Sequence, residues 1–181
     1  MNDFIFHTLD SAPEESTAIL EGAQKQMGAI PGLYRVMAGS PQLLEGYTQL
    51  HQQLTHSSFN AEELTVLWQT INVEHECHYC VPAHTAIAHA MKVDPKLTDA
   101  LRNREPMPTP KLQALQDLTL SMVRNRGHVD TAELNAFYQA GYGPQQVLEI
   151  ILGVSQKVIS NYVNHVAKTP VDPMFEAFAW Q

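Results

Sequence analysis

Basic residues are scarce in this chain: 11 Lys and Arg stand against 19 Asp and Glu in 181 residues, a formal net charge of -8. Such a surface repels phosphate backbones and anionic headgroups, so neither nucleic acid nor a membrane is expected as a partner. No apolar run approaches the roughly 18 residues that a membrane-crossing helix needs. The opening MNDFIFHTLDSAPEE shows neither the basic leader nor the apolar stretch of a signal peptide, and a cytoplasmic protein is expected. Low-complexity tracts and internal repeats are absent, and no segment reads firmly as a strand. Cysteine is almost absent too. The only two cysteines, Cys77 and Cys80, stand too close in sequence to staple distant parts of a fold, and a reducing compartment keeps a structural pair open.

What is present is helical. With 44% hydrophobic and 17% charged residues the composition is that of a globular protein. Its length suits one domain over residues 1–181, with helices in the N-terminal part (1–56) and a core over 57–181. Pro-in, Gly-out punctuation predicts a helix over residues 13–27 before Gly28, with a second over 41–56. Asn60 and Glu63 have the spacing of a capping box, and Leu64, Leu67, Trp68 and Ile71 follow at i, i+3, i+4 and i+7, which marks a buried helix. Further helices are expected over residues 77–92, from Pro95, over 111–125, after Thr131, and from Pro144. In the last, Val147, Ile151, Val154, Val158, Tyr162 and Val166 track one side. That helix is apolar on more than one side, which suits burial both in its own domain and against another subunit. The expected fold class is all-α.

The stretch HECHYCVPAH, residues 75–84, gathers both cysteines and three of the nine histidines. A CxxC motif points to redox chemistry or to metal. On a helix, residues i and i+3 share a face with Cα atoms about 5 Å apart, inside the range a disulfide accepts. Pro82 fits only in a first helical turn, so the cysteines fall near a helix N-terminus, where backbone N–H groups and the dipole favour a thiolate. His84 lies one turn beyond Cys80 on the same face and can exchange a proton with its sulfur. The two sulfurs and the imidazole are expected on one exposed side of that turn.

A c-type haem is excluded because Val81, not His, follows the second cysteine, and a thioredoxin fold because the flanking strands are missing. Zinc remains as an alternative, with Cys77, Cys80 and His84 as ligands and His75 or His78 as a fourth. Without Cys80 beside it, His84 would read as a core histidine. His51, His56, His89 and His128 have no partners at metal spacing and default to the surface, and Asn161 with His165 reads as structural hydrogen bonding.

The segment ELTVLWQTINVEHECHYCVPAHTAIA, residues 63–88, resembles the core of the carboxymuconolactone decarboxylase superfamily in its alkylhydroperoxidase (AhpD-like) branch, whose signature is a Glu, then CxxC, then His four residues later. VLEIILGVSQKVISNYVNHVAKTPVD, residues 147–172, is similar to the matching helix of longer members. The resemblance implies an oligomeric helical bundle and a thiol-dependent peroxidase or disulfide oxidoreductase acting on organic or hydrogen peroxides, with no metal or organic cofactor. It implies that Cys80 attacks the peroxide, Cys77 resolves the sulfenic acid as a disulfide, His84 relays the proton, a glutamate assists, and an external dithiol or protein reductant reopens the bridge.

For the glutamate, Glu63 is favoured over Glu74 and Glu76, although the capping box explains Glu63 equally well. The position 12 residues before the first cysteine, where shorter members carry their Glu, is Thr65. Two alternatives stay open: a zinc-binding or redox-sensing helical module, and a non-redox lactone decarboxylase-type enzyme on the same fold.

Overall fold

A computed structural model describes residues 3–181. Nine α-helices and one C-terminal 3-10 helix are formed among the described residues, with no strand: α1 (Glu14–Met27), α2 (Gly32–Met37), α3 (Pro41–Thr55), α4 (Ala61–Glu74), α5 (Cys80–Ala90), α6 (Pro95–Arg102), α7 (Pro110–Arg124), α8 (Thr131–Gln139), α9 (Pro144–Ala167) and the 3-10 helix Pro173–Phe178. Most boundaries follow local chemistry. Gly28 closes α1 in the left-handed region at φ 76°, a conformation without penalty for glycine. The Asn60 side chain and the Glu63 carboxylate close the expected capping box on α4, and Asp130 with Glu133 closes a second on α8.

The central element is α4. Every residue from Glu63 to Val73 is buried, because α5, α6, α7 and α9 surround it. One apolar cluster forms around Leu67, Trp68 and Ile71. A second joins α1, α2 and α3 to the CxxC segment through Leu20, Leu33, Met37, Leu44 and Tyr47. The N-terminal helices therefore wall in the cysteines.

The last helix is turned differently from its expected orientation. On α9 the buried side is largely polar, comprising Gln156, Lys157, Ser160, Asn161 and Asn164 besides Ile150, Gly153 and Ala167. Ile151, Tyr162 and Val166, expected inside, are about half exposed or more. The inward polar side is stabilised by partners on α4 and α5, so hydrophobicity does not set the helix orientation here.

Candidate active site

The chain reaches the motif by an abrupt stop. Asn72 O accepts from Cys77 N at 2.9 Å, and Val73 O accepts from Glu76 N at 3.1 Å, while Glu76 stands at φ 52°. This paired pattern is a Schellman closure of α4, with a glutamate at the left-handed position that glycine usually takes. Cys77 is fixed as part of that cap. It lies in a turn ahead of α5 rather than on it, so the helix starts at Cys80 and not at Cys77 as expected from spacing. The Cys77 carbonyl nevertheless accepts from Val81 N at 3.0 Å, which aligns the turn with the first helical residues.

The cysteines are unbridged and buried, at 0% and 2% exposure, which corrects the expectation of an exposed pair. Cys80 N donates to Cys77 Sγ at 3.3 Å, and Asn164 Nδ2 on α9 donates to Cys80 Sγ at 3.2 Å. Behind the motif runs a lattice of amides. Gln69 Nε2 donates to Val81 O at 3.1 Å, Asn72 Nδ2 to Gln69 Oε1 at 3.0 Å, and Asn161 Nδ2 to Asn72 Oδ1 at 3.0 Å.

Burial alone would raise the Cys80 thiol, but a hydrogen bond from Cys77, the Lys157 ammonium and the Asn164 amide bring it down to about 6. The same bond to Cys80, together with burial, pushes Cys77 far above the usual thiol range. The pair is therefore asymmetric, with an ionisable sulfur at Cys80 and a proton-holding one at Cys77.

A cavity of about 100 Å³ opens on Cys80, His84, His51 and Lys157, with Tyr34, Tyr47, Tyr79 and Phe175 among its walls, and Cys77 does not line it. Lys157 Nζ meets His84 Nε2 at 2.9 Å. The His84 ring lies 4.9 Å from the Trp68 ring, and His51 stacks on the Trp68 ring with centres 5.5 Å apart. Burial first, then the nearby Lys157, holds His84 well below the usual imidazole range and His51 at about 4. Both imidazoles are neutral near pH 7, and the Nδ1 atom of each is buried without a hydrogen-bond partner.

The structure brings together Cys77, Cys80 and His84, but not Glu63. The Glu63 carboxylate accepts from Asn60 N at 3.0 Å and pairs with Lys111 at 2.9 Å. It sits in the first turn of α4, about 9 Å or more along the axis from Gln69 and Asn72, which face the motif. Glu74 is held by Arg124 at 2.7 Å, and Glu76 by Arg104 at 3.4 Å on the surface.

His78 is exposed, with Nδ1 3.2 Å from Trp180 O. His75 Nδ1 meets Asn161 Oδ1 at 2.9 Å, while His165 is exposed. Among the described residues no group of three or more His, Cys, Asp and Glu is arranged to hold a metal ion. No helix among them is long and apolar enough to cross a membrane.

Two residues of the site are not marked by any local pattern in the sequence. His51 was expected at the surface, yet it lines the cavity. Lys157 stands in the mixed run VSQKVISN, residues 154–161, and carries no local signal of its own. The one available sign was its place three and four residues before Ser160 and Asn161 on a single helical side.

No protein-family model and no curated protein matches the sequence. Solved structures do share its fold. An alkylhydroperoxidase AhpD core, an uncharacterized peroxidase-related protein from Ralstonia eutropha JMP134, is 19% identical with a TM-score of 0.83, over 94% of this chain and 92% of that one. An uncharacterized peroxidase-related protein from Silicibacter sp. TM1040 is 18% identical with a TM-score of 0.80, over 96% and 94%. A variant of the debrominase Bmp8 in complex with 2,3,4-tribromopyrrole is 14% identical with a TM-score of 0.78, over 96% and 93%.

Proposed function

Starting from the AhpD-like all-helical fold of this chain, we propose that it is a thiol-dependent peroxidase in which Cys80 is the attacking sulfur, Cys77 the resolving one and His84 the proton carrier. One observation carries this reading: Cys80 and His84 face the same cavity while Cys77 lies behind them, within hydrogen-bonding reach of Cys80. Substrate meets one sulfur and only then the other.

The Cys80 thiolate attacks one peroxide oxygen, and the O–O bond breaks. The leaving oxygen takes one proton, drawn from solvent and relayed through the neutral His84, which replaces the one Cys80 lost to solvent on ionising, and a sulfenic acid is left on Cys80. Cys77 sulfur then attacks the Cys80 sulfur. The hydroxyl departs with the Cys77 proton as water, and a disulfide remains. An external dithiol restores both thiols and is itself oxidised to a disulfide. Glu63, tied to Asn60 and Lys111, has no step in this scheme. The exposed apolar side of α9, with Leu148, Ile151, Tyr162 and Val166, supports self-association of copies of the chain.

Peroxide consumption with added dithiol tests the reading. Cys80→Ser is expected to abolish turnover, Cys77→Ser to permit a single oxidation and then stall, and His84→Gln to slow each cycle. Turnover at the wild-type rate in all three variants would refute it. The aromatic walls of the cavity, Tyr34, Tyr47, Tyr79 and Phe175, favour one second reading, reductive dehalogenation of a small aromatic. Bromide release from 2,3,4-tribromopyrrole in the same dithiol assay separates the two.

A further inference from the structure

Lys157 is wholly withdrawn from solvent, and among the described residues it forms no ion pair with a carboxylate. Burial pushes the Lys157 ammonium below its usual range, and the sulfurs of Cys80 and Cys77 draw it back up, so its charge depends on a counter-charge among the groups around it. The titratable groups around it are Tyr34 from α2, Tyr47 and His51 from α3, and His84 and Cys80 from α5, with Cys77 behind them.

Burial pushes Tyr34 up and Tyr47 well up, so both phenols remain neutral. Both imidazoles are neutral as well, and Cys77 keeps its proton. Cys80 alone is left to carry the negative charge. The contact with His84 Nε2 at 2.9 Å adds a geometric constraint: an ammonium can only donate, so Nε2 accepts and the His84 proton resides on Nδ1.

We propose that Lys157 is the positioning residue of this site, the buried cation that holds Cys80 as a thiolate and fixes the tautomer of His84. The charged side chain that lines the cavity beside Cys80 and His84 is thus a cation on α9, not the carboxylate of Glu63 on α4. The inference deepens the peroxidase reading and rests on it for its purpose, but its physical content, a charge pairing of Lys157 with Cys80 across a shared cavity, does not depend on peroxide being the substrate.

The test uses the full chain. The pH dependence of Cys80 alkylation by iodoacetamide, followed at that residue by mass spectrometry, is expected to have its midpoint at about 6 in the wild type. In Lys157→Met the midpoint should rise by roughly one to two on the pH scale, the size of shift an adjacent opposite charge produces. A midpoint that stays at the wild-type value in folded Lys157→Met overturns the proposal.

Melting temperatures at pH 7 give a second test. Lys157→Met should lower the melting temperature of the wild type yet raise that of Cys80→Ser, where the lysine has lost its counter-charge. An equal drop in both backgrounds would make Lys157 a packing residue only and overturn the proposal. The comparison of Cys80→Ser with the double variant decides even if Lys157→Met alone fails to fold. Neither measurement involves peroxide, so absent turnover alongside these shifts counts against the peroxidase reading alone.

Discussion

Tyr79, the residue directly before Cys80, donates its hydroxyl to Asp172 at 2.6 Å, and the same carboxylate accepts from Gly32 N at 3.0 and 3.1 Å. One side chain thus ties the CxxC segment, the start of α2 and the C-terminal stretch together. Three residues on, Phe175 packs edge-on to Tyr79 with ring centres 6.3 Å apart and closes one wall of the cavity.

Asp172→Ala leaves these donors unpaired in a partly buried setting, which should cost about 2–3 kcal/mol of stability by urea denaturation. It should also loosen the Phe175 wall, so that a bulky thiol reagent reaches Cys80 faster than in the wild type while a small one gains little. An unchanged ratio of the two rates would separate Asp172 from access to the cavity.

Much of this arrangement was legible in the sequence, because the signals concerned are local. The Asn60 and Glu63 capping box, Gly28 after α1, and the prolines opening α3, α6, α7 and α9 act within a few residues of themselves. The Cys77, Cys80 and His84 set is likewise a matter of short spacing. What escaped is non-local. Whether Lys157 faces solvent or Cys80 depends on how α9 is rotated against α4 and α5, and its polar inward side defeats any reading by hydrophobicity. His51 reaches the cavity only because α3 lies beside Trp68. α2 has six residues, too few to show a period.

Glu76 carries a strained conformation for the sake of position. At φ 52° a residue with a Cβ atom costs about 1–2 kcal/mol relative to the right-handed region, a penalty glycine escapes. Its surface pair with Arg104, at 3.4 Å, offsets little. Glu76→Gly should therefore raise stability by about 0.5–1 kcal/mol in urea denaturation, with the Cys80 alkylation profile unchanged. A loss of stability would mean that the glutamate side chain holds the turn in a way the Arg104 pair does not account for.

The neutral imidazoles give the protein an acid-sensitive window. Burial and Lys157 hold His51 at about 4, below its value of about 6.5 in an unfolded chain. A group depressed on folding contributes stability that is complete above the unfolded value and is lost as pH falls through the folded one. Stability should thus decline between about pH 6.5 and 4, with His51 accounting for a share on the order of 3 kcal/mol, and the depressed His84 acts in the same direction. His51→Phe keeps an aromatic ring against Trp68 and removes the titration. Its urea midpoint should fall less steeply with acid than that of the wild type, and parallel slopes would remove His51 from the acid transition.

The closeness of α9 to α4 can be tested at Gly153, four residues before Lys157. A Cβ atom there would meet Leu67 Cδ2 at 2.7 Å and Cγ at 3.1 Å, and Leu67 is fully buried at the centre of the α4 cluster. Alanine gains about 1 kcal/mol of helix propensity over glycine, but overpacking against a core leucine costs about 1–3 kcal/mol. Gly153→Ala should therefore destabilise the wild type by up to about 2 kcal/mol and stabilise a Leu67→Ala background by about 1 kcal/mol. Equal losses in both backgrounds would show that the glycine serves something other than room for Leu67. If the clash pushes α9 outward, Asn164 and Lys157 move away from Cys80 with it. The alkylation midpoint of Cys80 in Gly153→Ala should then rise above about 6 and return toward the wild-type value once Leu67→Ala is added, a coupling that links helix packing to the charge on the sulfur.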